Sequence, residues 1–342
     1  MSTTAPLPSS PKLSRRRVTL MLGAVGGMPL LCAGDGAHRE VPLWRWDGSS
    51  LGSPVRLLLY HPDRAAASHI VRCCAAEIER LERAFALYRA DSEIARLNRD
   101  GRLAAPSQEF LEVLSQAQRF AELSDGAFDV TVQPLWNLYA GHFFRPGPPP
   151  SEGPPARAIE NTLKLVDRRN MEVSARRIVL GRPGMGLTLN GIAQGYVTDR
   201  VVDVLRQHGC EHTLTDMGRS AIKAGKPHLD GGPWRIGLTD PLHTEAFARR
   251  VDLRETALCT SGGYGTMFEP TGRHHHLFDP RLGTSANHFI AISVFAPSAM
   301  IADALSTTLY VAPPKRSASL IAPFAGTRAL VTRPDGSVIE LS

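Results

Sequence analysis

Apolar side chains recur at two different periods along this chain, and segments of each period are interleaved. Val55-Arg56-Leu57-Leu58-Leu59-Tyr60, following the Gly52-Ser53-Pro54 turn, predicts a first strand. Ile70, Cys74, Ile78, Leu81 and Phe85 fall at helical spacing and predict a long amphipathic helix. A second helix is expected from about Pro106 to Leu123. Arg177 to Leu189 reads as a β pair, and the chain then turns at Asn190-Gly191 into a helix ending near Gly209. Thr213–Asp216, Trp234–Leu238 and Phe289–Phe295 read as short strands. Pro297-Ser298 stops the last of these and supplies a helix N-cap. A hairpin closes the chain: Ala329–Thr332, a turn at Asp335-Gly336, then Val338–Leu341. Strand pairs and helices mix without a βαβ rhythm, so the expected class is α+β.

Between these elements, residues 145–157 carry Pro146, Pro148, Pro149, Pro150, Pro154 and Pro155. That density predicts a surface excursion, since proline removes backbone donors and fixes φ. No G-x-G-x-x-G opens a helix after the first strand, and neither a P-loop nor an internal repeat is present.

The 342 residues are 43% hydrophobic and 21% charged, enough to bury a substantial core. The net charge of +6 would suit an anionic partner. However, the arginines are scattered and no basic-aromatic module is present, so nucleic acid is not an expected partner. Ser14-Arg15-Arg16-Arg17 before the apolar run Val18–Cys32 reads as an export signal of the twin-arginine type. This divides the chain into a signal and linker over 1–37 and a folded domain over 38–342. It predicts a periplasmic protein that does not span the membrane once processed. The alternatives are an uncleaved anchor or lipidation at Cys32, although Leu31 fits a lipoprotein cleavage site poorly. Without a C-x-x-C, neither zinc nor a thioredoxin-type site is expected, and Cys73, Cys74, Cys210 and Cys259 read as buried free thiols.

The candidate chemistry lies in Ile301-Ala302-Asp303-Ala304-Leu305-Ser306-Thr307-Thr308. Asp303 and Thr307 are four apart on a predicted helix, so a carboxylate and a hydroxyl share one face. This is half of an all-oxygen site, which suits Mg²⁺ better than a transition metal. His274-His275-His276 cannot all ligate one ion from an extended segment, and His274 and His275 are expected to be exposed.

Four segments together resemble the ApbE-type flavin transferases, the FAD:protein FMN transferase family. They are Phe85-Ala86-Leu87-Tyr88-Arg89-Ala90-Asp91-Ser92-Glu93-Ile94; Asp125-Gly126-Ala127-Phe128-Asp129-Val130-Thr131-Val132; Leu189-Asn190-Gly191-Ile192-Ala193-Gln194-Gly195-Tyr196-Val197-Thr198-Asp199; and His276-Leu277-Phe278-Asp279-Pro280-Arg281-Leu282-Gly283 with Asp303 and Thr307 downstream. The resemblance implies an ApbE-like, T-fold-like arrangement of mixed sheets with packed helices. It also implies Mg²⁺-dependent transfer of FMN from FAD to a Thr or Ser hydroxyl of an acceptor protein, with release of AMP.

By the same resemblance Gly191, Asp303 and Thr307 hold Mg²⁺, Gly191 through its carbonyl. Leu51, Tyr88, Ala127, Phe128, Asp129, Thr188, Gln194, His276 and Phe278 contact the flavin nucleotide. Asp129 and His276 take part in the chemistry. Each residue also has a plainer reading: Tyr88 as a core aromatic, Asp129 as a turn cap, Asn190-Gly191 and Asp279-Pro280 as tight turns.

Thr188 and Gln194 depart from the family, which commonly carries Asp and Lys at those positions. A neutral Gln–Thr contact is the expected substitute. The departure also motivates two other readings, a non-catalytic FAD-binding protein serving a respiratory complex and an FAD pyrophosphatase. The Gln-containing segment resembles a branch linked to nitrous oxide respiration, which implies an acceptor in a membrane redox complex.

Overall fold

A computed structural model describes residues 41–147, 150–218, 221–241 and 247–342. The signal and linker expected over 1–37 lie outside the described residues. No described helix is long and apolar enough to cross a membrane.

In chain order the strands are β1 (Leu43–Ser50), β2 (Ser53–Tyr60), β3 (Arg102–Ala104), β4 (Met171–Val173), β5 (Arg177–Leu180), β6 (Thr213–Met217), β7 (Ala221–Ala224), β8 (Trp234–Thr239), β9 (Phe247–Leu253), β10 (Ala257–Gly262), β11 (Phe278–Asp279), β12 (Thr284–Ser285), β13 (Ala291–Ala296), β14 (Arg328–Thr332) and β15 (Val338–Leu341). The helices are α1 (Arg64–Phe85), α2 (Glu93–Asp100), α3 (Gln108–Leu123), α4 (Gln133–Phe143), α5 (Ala156–Leu163), α6 (Ala193–Gln207), α7 (Ala299–Val311) and α8 (Ser317–Ile321). Eight strands form one sheet in the order β1-β2-β6-β7-β10-β13-β14-β15, and each neighbouring pair is antiparallel. The expected α+β class is therefore the observed one.

Strand parity divides the interior. Val55, Leu57 and Leu59 of β2, Ala257 and Cys259 of β10, Ile292 and Val294 of β13, and Ala329 and Val331 of β14 point into the main core beneath the helices. Their alternates Leu58, Leu258, Phe295 and Leu330 point the other way. There they meet Trp234 of β8 and Val251 and Leu253 of β9, a hairpin that covers the far face. Burying each Leu contributes about 1.5–3 kcal/mol. A one-residue slip would turn both sets around, so the register is tightly specified. By the same parity Ser261 of β10 stands on the helix face.

Helix boundaries follow local chemistry. Asp63, Ser92, Ser107 and Ser298 cap α1, α2, α3 and α7 by accepting first-turn N–H groups. α7 is buried nearly all round, with Asp303 and Ser306 among its enclosed residues.

Two expectations need correction. Only Arg177–Leu180 of the supposed β pair is a strand. Pro183 and Gly184, the latter at φ +90°, break it. The following segment is held by a side chain: Asn98 donates to the Leu187 carbonyl at 2.8 Å and accepts from its N–H at 2.7 Å. One amide thus does for Leu187 what a neighbouring strand would. Second, His275 is buried, and His274 is half-buried beside the rings of Tyr139 and Phe143. Neither is exposed.

Candidate active site

The site is built where the first turn of α6 meets α7. Asp303 is buried, and its Oδ2 accepts the Gly195 N–H at 2.8 Å. That N–H is one of the donors a helix start leaves without an intrahelical partner. A side chain at position 195 is excluded, because a Cβ there would lie 2.2 Å from the Ala299 carbonyl oxygen and 2.7 Å from the Asp303 Cβ. Burial pushes the Asp303 carboxyl up to about 7. Among the described residues no basic side chain pairs with it, so it either holds a proton or takes its compensating charge from a bound cation.

Thr307 lies one turn along α7. Its hydroxyl is 3.1 Å from Ser261 Oγ, which in turn lies 2.7 Å from Ser306 Oγ. Ser306 closes the set by donating to the Asp303 carbonyl. Gly191 completes the triangle. A Cβ built on it would sit 3.2 Å from both Thr307 Oγ1 and Cγ2, and 3.3 Å from a Phe128 ring carbon. Positions distant in sequence therefore come together: Gly191 lies beside both Thr307 and Phe128, and Asp303 stands one turn from Thr307. A carboxylate without a cation, a hydroxyl and an approachable main chain are hard oxygen donors, so the residues fit Mg²⁺.

The N-terminus of α7 is anchored by Asp199 of α6. Its carboxylate accepts from Ser298 Oγ at 2.7 Å and from the N–H groups of Ala299 and Met300, each at 3.0 Å. It also pairs with Lys223 of β7 at 2.6 Å. Negative charge at a helix N-terminus is favourable.

The remaining candidates surround this centre. Leu51, at φ +48°, donates its N–H to Glu82, and Tyr88 donates its hydroxyl to the same carboxylate oxygen. Tyr88 is 60% exposed, so it is not a core aromatic and its ring can take a planar ligand. This turn is tied to the α6 end. Gly218 packs against Ser53, and Gln194 donates to the carbonyl of Met217 at 3.0 Å. Thr188 instead offers its hydroxyl to the Asn190 N–H and its own N–H to Val130. The expected Gln–Thr contact is therefore not formed, because both groups are satisfied elsewhere.

Ala127 and Phe128 are buried in the loop after α3. Asp129 accepts from the Thr131 hydroxyl at 2.6 Å and the Thr131 N–H at 2.8 Å, the turn cap of the plainer reading. Burial raises its pKa. It also borders a cleft of about 540 Å³ whose lining includes Lys164, Arg168, Arg169, Arg182 and Arg281. Gly191, Asp303 and Thr307 do not line that cleft.

His276 is half-buried, and its Nδ1 faces the Thr266 carbonyl at 3.2 Å, so Nδ1 carries the proton. Desolvation, then the neighbouring His275, pushes its pKa down to about 4. The ring is neutral at pH 7 and presents Nε2 as an acceptor. His275 reaches α7 through an edge contact with Tyr310, 5.8 Å between centroids, and the Tyr310 hydroxyl accepts from Gly263 N–H. The Phe278 ring is buried 4.9 Å from that of Tyr139, in a satellite core, and its side chain serves packing. Asp279 begins a turn, as expected, and accepts from the Arg281 guanidinium.

Sequence reasoning did not find Glu82, Asp199, Ser261, Ser306 or Lys223. Ser306 adjoins Thr307 and Asp199 ends a motif segment, but no local pattern signals that their partners lie elsewhere in the chain.

Comparison with known proteins agrees with this architecture. Residues 51–331 match the ApbE family. FAD:protein FMN transferase of Haemophilus influenzae is 32% identical over 235 residues, 66% of this chain and 67% of the relative. The enzyme of the same name from Treponema pallidum is 29% identical over 84% of each chain. The crystal structure of the ApbE protein from Thermotoga maritima superposes with a TM-score of 0.76 at 25% identity, covering 88% of this chain and 97% of that one. With its sequence matched over most of its length and its fold shared, the chain belongs to the ApbE family.

Proposed function

We propose that this protein is a flavin transferase that takes FAD, holds it with Mg²⁺, and joins FMN to a Thr or Ser hydroxyl of an acceptor protein, with AMP as the leaving group. The observation that carries the proposal is the convergence of buried Asp303, Thr307 and Gly191, whose oxygens would hold the ion. Bound there, Mg²⁺ supplies charge neutralisation at the FAD pyrophosphate. The chain's own residues do the rest. Asp199 and Lys223 fix the helix that presents Asp303 and Thr307. Exposed Tyr88 offers a stacking surface for the flavin rings. Asp129, with its pKa raised by burial, is suited to receive the proton of the acceptor hydroxyl. His276, with its pKa lowered by desolvation and its Nδ1 turned to the Thr266 carbonyl, presents Nε2 to orient the substrate.

The reading extends to a periplasmic protein with an export signal over 1–37 and an acceptor in a membrane redox complex. Family membership and the twin-arginine pattern support it.

The test is mass spectrometry of an acceptor domain incubated with the protein, FAD and Mg²⁺. An FMN mass gain with matching AMP release, lost at least about 100-fold in Asp303→Ala, is the expected result. FAD bound without mass gain would make the protein a binder. AMP release independent of acceptor would make it a pyrophosphatase. Either result overturns transfer.

A further inference from the structure

We propose that His69, Cys73 and His208 form a second metal site, for a divalent ion of the Zn²⁺ class, at the end of α6 remote from Gly191. His69 and Cys73 are four apart on α1 and leave the same face. Cys73 Sγ lies 3.7 Å from His69 Nε2. His208 comes from the C-cap of α6, and its ring stands edge-on to that of His69, 5.7 Å between centroids at 74°. One ligand atom of each of the three lies within 4.8 Å of the other two.

These distances suit a tetrahedral ion. Zn–S bonds of about 2.3 Å and Zn–N bonds of about 2.0–2.1 Å put sulfur and nitrogen about 3.5 Å apart along a tetrahedral edge. The Cys73–His69 pair is already near that spacing, and small side-chain rotations bring in His208. The anchor for His208 is firm. Gly209, at φ +76°, donates to the Arg206 carbonyl, and Cys210 donates to that of Leu205, both at 2.9 Å. Together these bonds form the left-handed closure that ends many helices. The negative end of the α6 dipole also faces this point and favours a cation.

Donor chemistry separates this site from the first. Two imidazoles and a thiolate select a borderline ion over Mg²⁺, whereas carboxylate, hydroxyl and carbonyl do the reverse. His69 and His208 are exposed and Cys73 is half-buried, so an ion enters from solvent and water completes the fourth position. The 15 residues of α6 span about 22 Å, which keeps the two sites apart. The ion would clip α6 to α1. The inference does not depend on the flavin transferase reading.

The test uses the full chain, reduced, with Co²⁺ as the probe in excess Mg²⁺. One equivalent should produce a thiolate-to-cobalt charge-transfer band and the strong visible bands of tetrahedral Co²⁺, both erased by Zn²⁺. Cys73→Ser should remove the charge-transfer band, His208→Gln should weaken Zn²⁺ binding at least tenfold, and Cys74→Ser should change neither. Circular dichroism and metal-free melting of each variant separate ligand loss from misfolding. Absence of the band, its survival in folded Cys73→Ser, or its loss in folded Cys74→Ser would overturn the site and leave only a local contact between Cys73 and His69.

Discussion

The carboxylate of Asp303 in α7 caps the first turn of α6 through the Gly195 N–H, 2.8 Å away. One group therefore joins two helices and carries the charge on which the proposed cation site depends. The same carboxylate that organises the protein is enclosed enough for burial to push its pKa up to about 7.

A first prediction concerns pH. The folded-state pKa of Asp303, about 7, stands above the ordinary carboxylate value, so the folded metal-free protein holds a proton that the unfolded chain releases. The Asp303 contribution to stability is then greatest below about pH 4 and falls as pH rises towards about 7. Cation binding runs the other way: it must displace that proton, and it weakens by up to about tenfold per unit below pH 7. Melting curves with and without Mg²⁺ at pH 5.5 and 8, read as rough brackets of this range, should show the larger Mg²⁺ shift at the higher pH. Asp303→Asn should abolish that difference.

A second prediction concerns the two glycines. Gly195→Ala forces a methyl against the Ala299 main chain and should cost about 1–3 kcal/mol of stability, measured by urea denaturation. Gly191→Ala meets Thr307 and Phe128 at 3.2–3.3 Å, where side chains can give way. It should cost under about 1 kcal/mol yet reduce FMN transfer by tenfold or more. A larger stability loss at Gly191 than at Gly195 would contradict the packing described.

A third prediction concerns Asp199. Its carboxylate meets the Lys223 ammonium, the Ser298 hydroxyl and two main-chain donors, with the Lys223 side chain only 9% exposed. Asp199→Ala strands a buried cation and uncaps α7, so the expected loss is about 3–5 kcal/mol. Asp199→Ala combined with Lys223→Met should recover part of it. Chemical denaturation of Asp199→Ala, Lys223→Met and the double variant checks this, and additive losses would show that the pair is not coupled.

Much of this organisation was legible in the sequence. Period-2 runs located β2, β13 and the β14–β15 hairpin, and the spacing of Ile70, Cys74, Ile78, Leu81 and Phe85 located α1. The motif segments imply that Gly191 and Thr307 lie together, and in the fold a Cβ on Gly191 would stand 3.2 Å from Thr307 Oγ1. The failures share a cause: the deciding partner lay far along the chain. Leu187 extends without a strand neighbour because Asn98 supplies the bonds. β1 was missed because its pattern, LWRWDGSS, becomes a strand only against β2. His275 reads as polar, yet Ser285, Asn287 and Tyr310 surround it in the folded state.

The division of the sheet by parity has an evolutionary corollary. Trp234, Val251 and Leu253 pack on the alternates that point away from Asp303. Drift among these positions is charged to folding and leaves the seat of the reaction undisturbed. The hairpin can therefore serve as ballast: its packing can be changed to tune stability while the opposite side keeps its chemistry.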